Sequence, residues 1–125
     1  MTELRIPGSL SSPTIHCSSQ PPRLYMQGDS YPENAFDLYQ PVLQWLQAHL
    51  SAADATLNME LELVYLNTSS VRVMMDVFDL LEEAHREGKQ VVVRWYYDPR
   101  NERVAELAEE FREDLSLPFE IQPHS

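Results

Sequence analysis

Residue type and position combine into a chemistry at Asn67-Thr68-Ser69-Ser70, four small polar residues between an alternating apolar run and a helical pattern. A hydroxyl at a helix N-terminus is well placed to carry a phosphate. The unpaired N–H groups and the helix dipole favour an anion there by roughly 0.3–1 kcal/mol. The modification adds about −1.5 to −2 charges to one small patch. It changes what docks on that patch and leaves the core alone. The plain alternative is that Thr68 or Ser69 merely caps the helix. A capping box from Thr68 asks for Glu or Gln three residues on, where Val71 stands, and one cap needs one hydroxyl where three stand in a row.

Other chemistries lack their residue patterns. His16, His49, His85 and His124 show no ligand spacing on one helix face, and no CxxC occurs, so no metal site is expected. Gly8, Gly28 and Gly88 cannot frame a phosphate-cradling loop, and a GxSxG elbow is absent. Asp76, Asp79, Glu82 and Glu83 share a helix with Arg72 and Arg86, and Glu102, Glu106, Glu109, Glu110 and Glu113 follow on the next. They read as solvated acidic faces, with Arg72/Asp76 and Glu82/Arg86 as i,i+4 pairs. Cys17 has no visible activating base. No catalytic residue and no cofactor is expected.

The composition narrows the class. The chain has 125 residues, 43% hydrophobic and 23% charged, which fits one globular domain. Twenty acids face nine bases, for a net charge of −11, and Lys89 is the only lysine. Nucleic-acid and direct membrane binding are therefore excluded as expectations, because both need many cationic contacts. The single cysteine excludes an internal disulfide and fits a reducing compartment. No apolar run approaches the roughly 20 residues of a membrane helix. Met1 to Pro13 lacks a secretory pattern, so a cytoplasmic location is expected.

The elements that position the NTSS segment follow from periodicity. Residues 1–22 read as an arm rich in proline and serine, and residues 23–125 as a single domain. Thr14 to Ser18 and Arg23 to Gln27 are expected as short edge strands. Ser30-Tyr31-Pro32-Glu33 has capping-box spacing and precedes the stripe Ala35, Tyr39, Val42, Leu43, Leu46 and Leu50, in which Pro41 predicts a kink or break. Trp45 lies off that stripe and is expected to be exposed. Asn58 to Leu66 reads as a strand that ends buried, with Val64 making its second face apolar. A helix over roughly 69–87 should turn Val71, Met74, Met75, Phe78 and Leu80 or Leu81 inward and stop at Gly88. Gln90 to Tyr97 is a second buried strand, and Asp98-Pro99 is expected to cap a helix with the stripe Val104, Leu107, Ala108, Phe111 and Leu115. Pro118 to Ile121 is a final edge strand. The order β-β-α-β-α-β-α-β predicts an α/β fold: a mixed sheet of about five strands with three main helices. Function in such sheets sits beyond the strand carboxyl ends, here Asn67 to Ser70 and Tyr97 to Asn101.

Strand, Asn67-Thr68-Ser69-Ser70, then amphipathic helix resembles the SiaC-type family of bacterial regulatory phosphoproteins and, more distantly, the STAS domains of anti-sigma-factor antagonists. Three further segments carry the resemblance: residues 28–35 (GDSYPENA), 80–85 (LLEEAH) and 93–98 (VRWYYD). It covers about residues 23–121 and leaves the arm outside.

The resemblance implies a STAS-like partner switch without enzymatic activity. Thr68 is the implied phosphoacceptor, modified by a dedicated protein kinase and restored by a PP2C-type phosphatase. The unmodified form is implied to bind and activate a diguanylate cyclase, raising cyclic di-GMP and favouring biofilm or aggregate formation. Asn67, Ser69, Ser70 and Arg72 are the partner-binding candidates by adjacency. Two other readings stay open: a constitutive assembly subunit anchored by Tyr25, Tyr31, Tyr39, Trp45, Tyr96 and Tyr97, and a small enzyme using scattered carboxylates.

Overall fold

The computed structural model describes residues 3–124; Met1 and Thr2, where the expected arm begins, and Ser125, where the expected domain ends, lie outside the described residues. The elements in chain order are β1 (Leu4–Ile6), β2 (Thr14–Ser19), β3 (Pro22–Ser30), α1 (Ala35–Leu50), β4 (Thr56–Leu66), α2 (Thr68–Arg86), β5 (Gln90–Tyr97), α3 (Glu102–Glu113) and β6 (Phe119–Pro123). They build one mixed six-stranded sheet in the order β1-β2-β3-β4-β5-β6. β1, β2 and β3 pair antiparallel, and β3 to β6 run parallel. The sheet carries one strand more than expected. β1 is only three residues long, too short for a period of two to show, and it pairs Leu4 with Cys17. Both strands of the expected arm thus lie in the same sheet as the rest.

Right-handed crossovers that all step in one direction put the three helices on one sheet face. Burial follows. Leu57, Met59, Leu61 and Leu63 of β4 and Val91, Val93 and Trp95 of β5 point into the core beneath the helices. The alternate residues face the other way and pair with one another: Arg23 with Glu60 at 2.8 Å, His124 with Glu62 at 2.8 Å and Arg94 with Glu120 at 3.4 Å. No helix among the described residues is long and apolar enough to cross a membrane.

Several local expectations are corrected. Ser30 does not start a capping box: it is the last residue of β3, and Asn34 caps α1 by accepting from the Asp37 N–H at 3.1 Å. α1 runs unbroken through Pro41, which sits on its exposed side, where the Asp37 carbonyl it leaves without a donor faces solvent. Trp45 is buried, its ring stacked 4.8 Å from His49, which donates to the Thr56 carbonyl at 2.7 Å. Asn101, not Asp98, caps α3, accepting from the Val104 N–H at 3.4 Å. Val64 and Met75 are about half exposed rather than inward, because Val64 follows Leu63 onto the sheet face away from the core while Leu66 ends β4 buried, and the inward stripe of α2 runs through Val73, Met74, Val77, Phe78 and Leu81.

Glu82 departs most from the expected solvated face. It is buried and accepts from the Ser116 hydroxyl at 2.6 Å, the Ser116 N–H at 2.9 Å and the Leu117 N–H at 3.1 Å, with Arg86 at 3.1 Å. Four donors hold its carboxyl well below the usual range, at about 2, the Ser116 hydroxyl contributing most.

Candidate functional site

β4 delivers the chain to the carboxyl edge of the sheet, and α2 starts at once. Asn67 has extended backbone and caps α2: its side-chain oxygen accepts from the Ser70 N–H at 2.9 Å. Its own N–H donates to the Ser30 carbonyl at 2.9 Å, which ties the turn to the end of β3. The cap is therefore Asn67 and not one of the hydroxyls, and Thr68 becomes the first helical residue.

The three hydroxyls then separate by helical geometry. Thr68 and Ser69 are exposed, whereas Ser70 turns inward and is fully buried. Its hydroxyl lies 2.7 Å from that of Ser30, which lies 2.7 Å from the Tyr39 hydroxyl of α1. Ser70 thus holds the start of α2 to β3 and α1, and it offers no surface to a partner; its expected role as a contact residue is corrected on that ground. Asn67 is half-buried, also occupied in holding the turn. Arg72 is exposed one turn beyond Thr68, and no hydrogen bond or ion pair holds it among the described residues. Its expected partner Asp76 does not close the pair, while Glu82 and Arg86 do at 3.1 Å.

The charge at this helix start differs from that of the other two. Asp37 stands in the first turn of α1 and Glu102 in that of α3, whereas α2 has no acid there. The positive end of the α2 dipole is left without a resident carboxylate. Exposed apolar side chains surround it. Val64 and Tyr65 precede the cap on β4, the Tyr31 ring meets Tyr65 edge-on at 5.9 Å between centroids, and Met75 lies two turns along α2. The sequence pattern places Val64 and Met75 inside and offers Tyr31 only as an anchor of a constitutive subunit, so it does not gather these residues at the helix start. The available signal was Leu63-Val64-Tyr65-Leu66, an unbroken apolar run where alternation should have continued.

The second edge loop is built differently. Asp98 accepts from the Arg100 backbone N–H at 2.9 Å and from its guanidinium at 2.7 Å and 3.1 Å. Arg100 holds the Asp98 carboxyl down at about 2, so it stays ionised and structural. With Gly28, Val64, Tyr97 and His124 the loop borders a cleft of about 200 Å³. Cys17 is fully buried in β2, and desolvation pushes its thiol up to about 12.

Comparison with known proteins agrees with this architecture. A curated protein of Pseudomonas aeruginosa strain UCBPP-PA14, itself uncharacterized, is 56% identical over 124 residues, 99% of this chain and 98% of its own length. The crystal structure of apo-SiaC from Pseudomonas aeruginosa is similar at 55% identity with a TM-score of 0.94, over 98% of this chain and 99% of that one. A crystal structure of the diguanylate cyclase SiaD in complex with its activator SiaC, from the same species, matches at 57% identity and a TM-score of 0.94, over 97% of this chain and 99% of that one. The sequence model for the SiaC family regulatory phosphoprotein matches residues 6–124, so it takes in most of the stretch that the resemblance had left outside. With nearly its whole length matched, this chain belongs to the SiaC family of regulatory phosphoproteins.

Proposed function

We propose that this chain is a non-enzymatic activator of a diguanylate cyclase, switched off by phosphorylation of Thr68. The observation that carries the reading is the state of Thr68: first residue of α2, exposed, relieved of capping by Asn67, and set at a helix start without a carboxylate. A protein kinase adds the phosphate and a PP2C-type phosphatase removes it. The SiaD–SiaC complex of Pseudomonas aeruginosa supports the cyclase as partner. The chain acts in the cytoplasm, where it raises cyclic di-GMP and promotes biofilm or aggregate formation.

The mechanism is a local change on a rigid platform. The partner packs over Thr68 and the apolar side chains Tyr31, Val64 and Tyr65, with Ser69 and Arg72 at its margin. A phosphate at Thr68 then places about two negative charges inside an apolar contact. Burying an uncompensated charge costs several kcal/mol, and each 1.4 kcal/mol is tenfold in affinity. A 100-fold loss of binding is within reach without any movement of the core.

The test begins with intact mass and fragment mapping of protein isolated from its native cells with phosphatase inhibitors. One phosphate at Thr68, together with cyclase binding by the unmodified form and loss of binding by the modified form, is the expected result. Phosphate at full stoichiometry on a folded Thr68→Ala variant would overturn the site. Equal binding by both forms would leave a constitutive subunit instead.

A further inference from the structure

A hollow lies at the amino edge of the sheet, away from the Thr68 turn. β5 starts at Gln90, but β6 comes alongside only from Phe119, opposite Val93. Val93 donates to the Pro118 carbonyl at 3.0 Å across that boundary. Backbone groups alternate sides along a strand, so those of Val91 point the same way as those of Val93. No strand stands there to meet them. Pro118 has no N–H to offer, and the Ser116 and Leu117 N–H groups are drawn off to Glu82 at 2.9 Å and 3.1 Å. The Val91 N–H and C=O are left facing a cavity of about 610 Å³. Val91 is only 4% exposed, and a buried backbone pair without a partner is costly.

The charged lining of this cavity has one sign. Lys89, the only lysine, stands there with His85 and Arg94, and no carboxylate lines it, in a chain of net charge −11. Lys89 donates to the Leu50 carbonyl at 2.5 Å and to Glu87 at 3.0 Å, which leaves one of its three N–H groups. Arg94 meets Glu120 through a long contact of 3.4 Å. The Ala84 and His85 carbonyls at the end of α2 already accept from the Glu87, Gly88 and Lys89 N–H groups, which blunts the negative end of that helix. Leu57, Val92 and Pro118 add apolar surface.

Volume and chemistry together identify the ligand. The cavity falls within the roughly 300–1,000 Å³ of small-molecule sites. A guanidinium, an ammonium and a backbone N–H are donors that phosphate oxygens accept from. The Val91 carbonyl calls for a donor, which a sugar hydroxyl supplies. We infer that this cavity binds a phosphorylated organic metabolite of about nucleotide size, its phosphate drawn to the cationic lining and the Val91 N–H, its organic part against Leu57, Val92 and Pro118. The inference goes beyond the proposed function. β4 runs eleven residues from Thr56 at the cavity to Leu66 before the Thr68 turn, so roughly 30 Å separates ligand and phosphoacceptor.

The unmodified full chain is titrated with adenosine monophosphate, inorganic pyrophosphate and adenosine, followed by amide NMR shifts. The nucleotide should saturate with a Kd below about 1 mM and move the Val91, Gly88 and Lys89 amides most. Pyrophosphate should bind more weakly at the same amides, and adenosine should not bind. Asn58→Asp puts a carboxylate into the cavity at an exposed position, and Arg94→Gln removes a cation; each is expected to weaken nucleotide binding about tenfold or more. Shifts confined to Asn67 to Ser70 would place the phosphate at the start of α2 and overturn the cavity. No saturable binding of the nucleotide, or wild-type affinity in both folded variants, overturns it as well. Adenosine binding as tightly as its monophosphate overturns the phosphate site, and pyrophosphate binding as tightly overturns the organic part.

Discussion

The Ser70 hydroxyl lies 2.7 Å from that of Ser30, a residue 40 positions earlier, and both are fully buried. The start of α2, which presents Thr68 to solvent, is thereby tied to the end of β3. Ser30 also reaches the Tyr39 hydroxyl at 2.7 Å, so it is the centre of the network. Ser30→Ala should cost about 1–3 kcal/mol, since it strips both neighbours of a buried partner. Ser70→Ala should cost less, because Ser30 keeps Tyr39. Urea denaturation of the two variants checks the order; equal and small effects would remove the network from the account.

Asn67 and Thr68 are neighbours with opposite roles. Asn67→Ala removes the cap of α2 and should destabilise by about 1 kcal/mol. Thr68→Ala changes an exposed side chain that caps nothing and should stay within about 0.5 kcal/mol of wild type. The same denaturation curves decide it. A large loss at Thr68 would return the segment to a hydroxyl-capped helix.

Glu82 predicts an acid-dependent stability. Its folded pKa of about 2 lies below the ordinary 4.5, so its contribution is full above pH 4.5 and drains away as pH falls toward about 2. Asp98 and Glu60 are shifted in the same direction, so the share of Glu82 is read by difference. Glu82→Gln should be about 1–3 kcal/mol less stable at neutral pH, with the gap to wild type narrowing across that acid window. Thermal melts at several pH values measure it; a gap that stays constant would assign the loss to packing alone.

Cys17 should be inert in the folded chain. Burial pushes its thiol up to about 12, which leaves almost no thiolate at pH 8. Ellman's reagent should fail to label the native protein and label it fully in urea. Rapid labelling without denaturant would contradict the burial of β2.

Local pattern made much of this molecule legible. The 3.6-residue stripes of α2 and α3 and the alternation in β4 and β5 identify their elements, because neighbouring side chains on one face obey a short-range period. The NTSS segment was recognisable as the edge turn for the same reason. The side chains that occupy its surroundings were not. Val64 and Met75 are apolar by type and were placed inside, yet whether a face is covered depends on which element lies across it. Trp45 failed in the opposite direction, being covered although it stands off its helix stripe.

By itself the amino-acid sequence determined the element order from β2 onward, the position of the hydroxyl cluster between a strand and a helix, and the poverty of cationic side chains. These depend on residue type and on spacings of a few residues. Only the tertiary structure decided that Asn67 caps α2, that Ser70 turns in to Ser30 while Thr68 turns out, and that Glu82 is buried against Ser116 and Leu117. The partners of Ser70 and Glu82 lie 40 and 34 or 35 residues away, distances at which no local period carries information. The fold brings those groups together, and burial then makes each hydrogen bond obligatory.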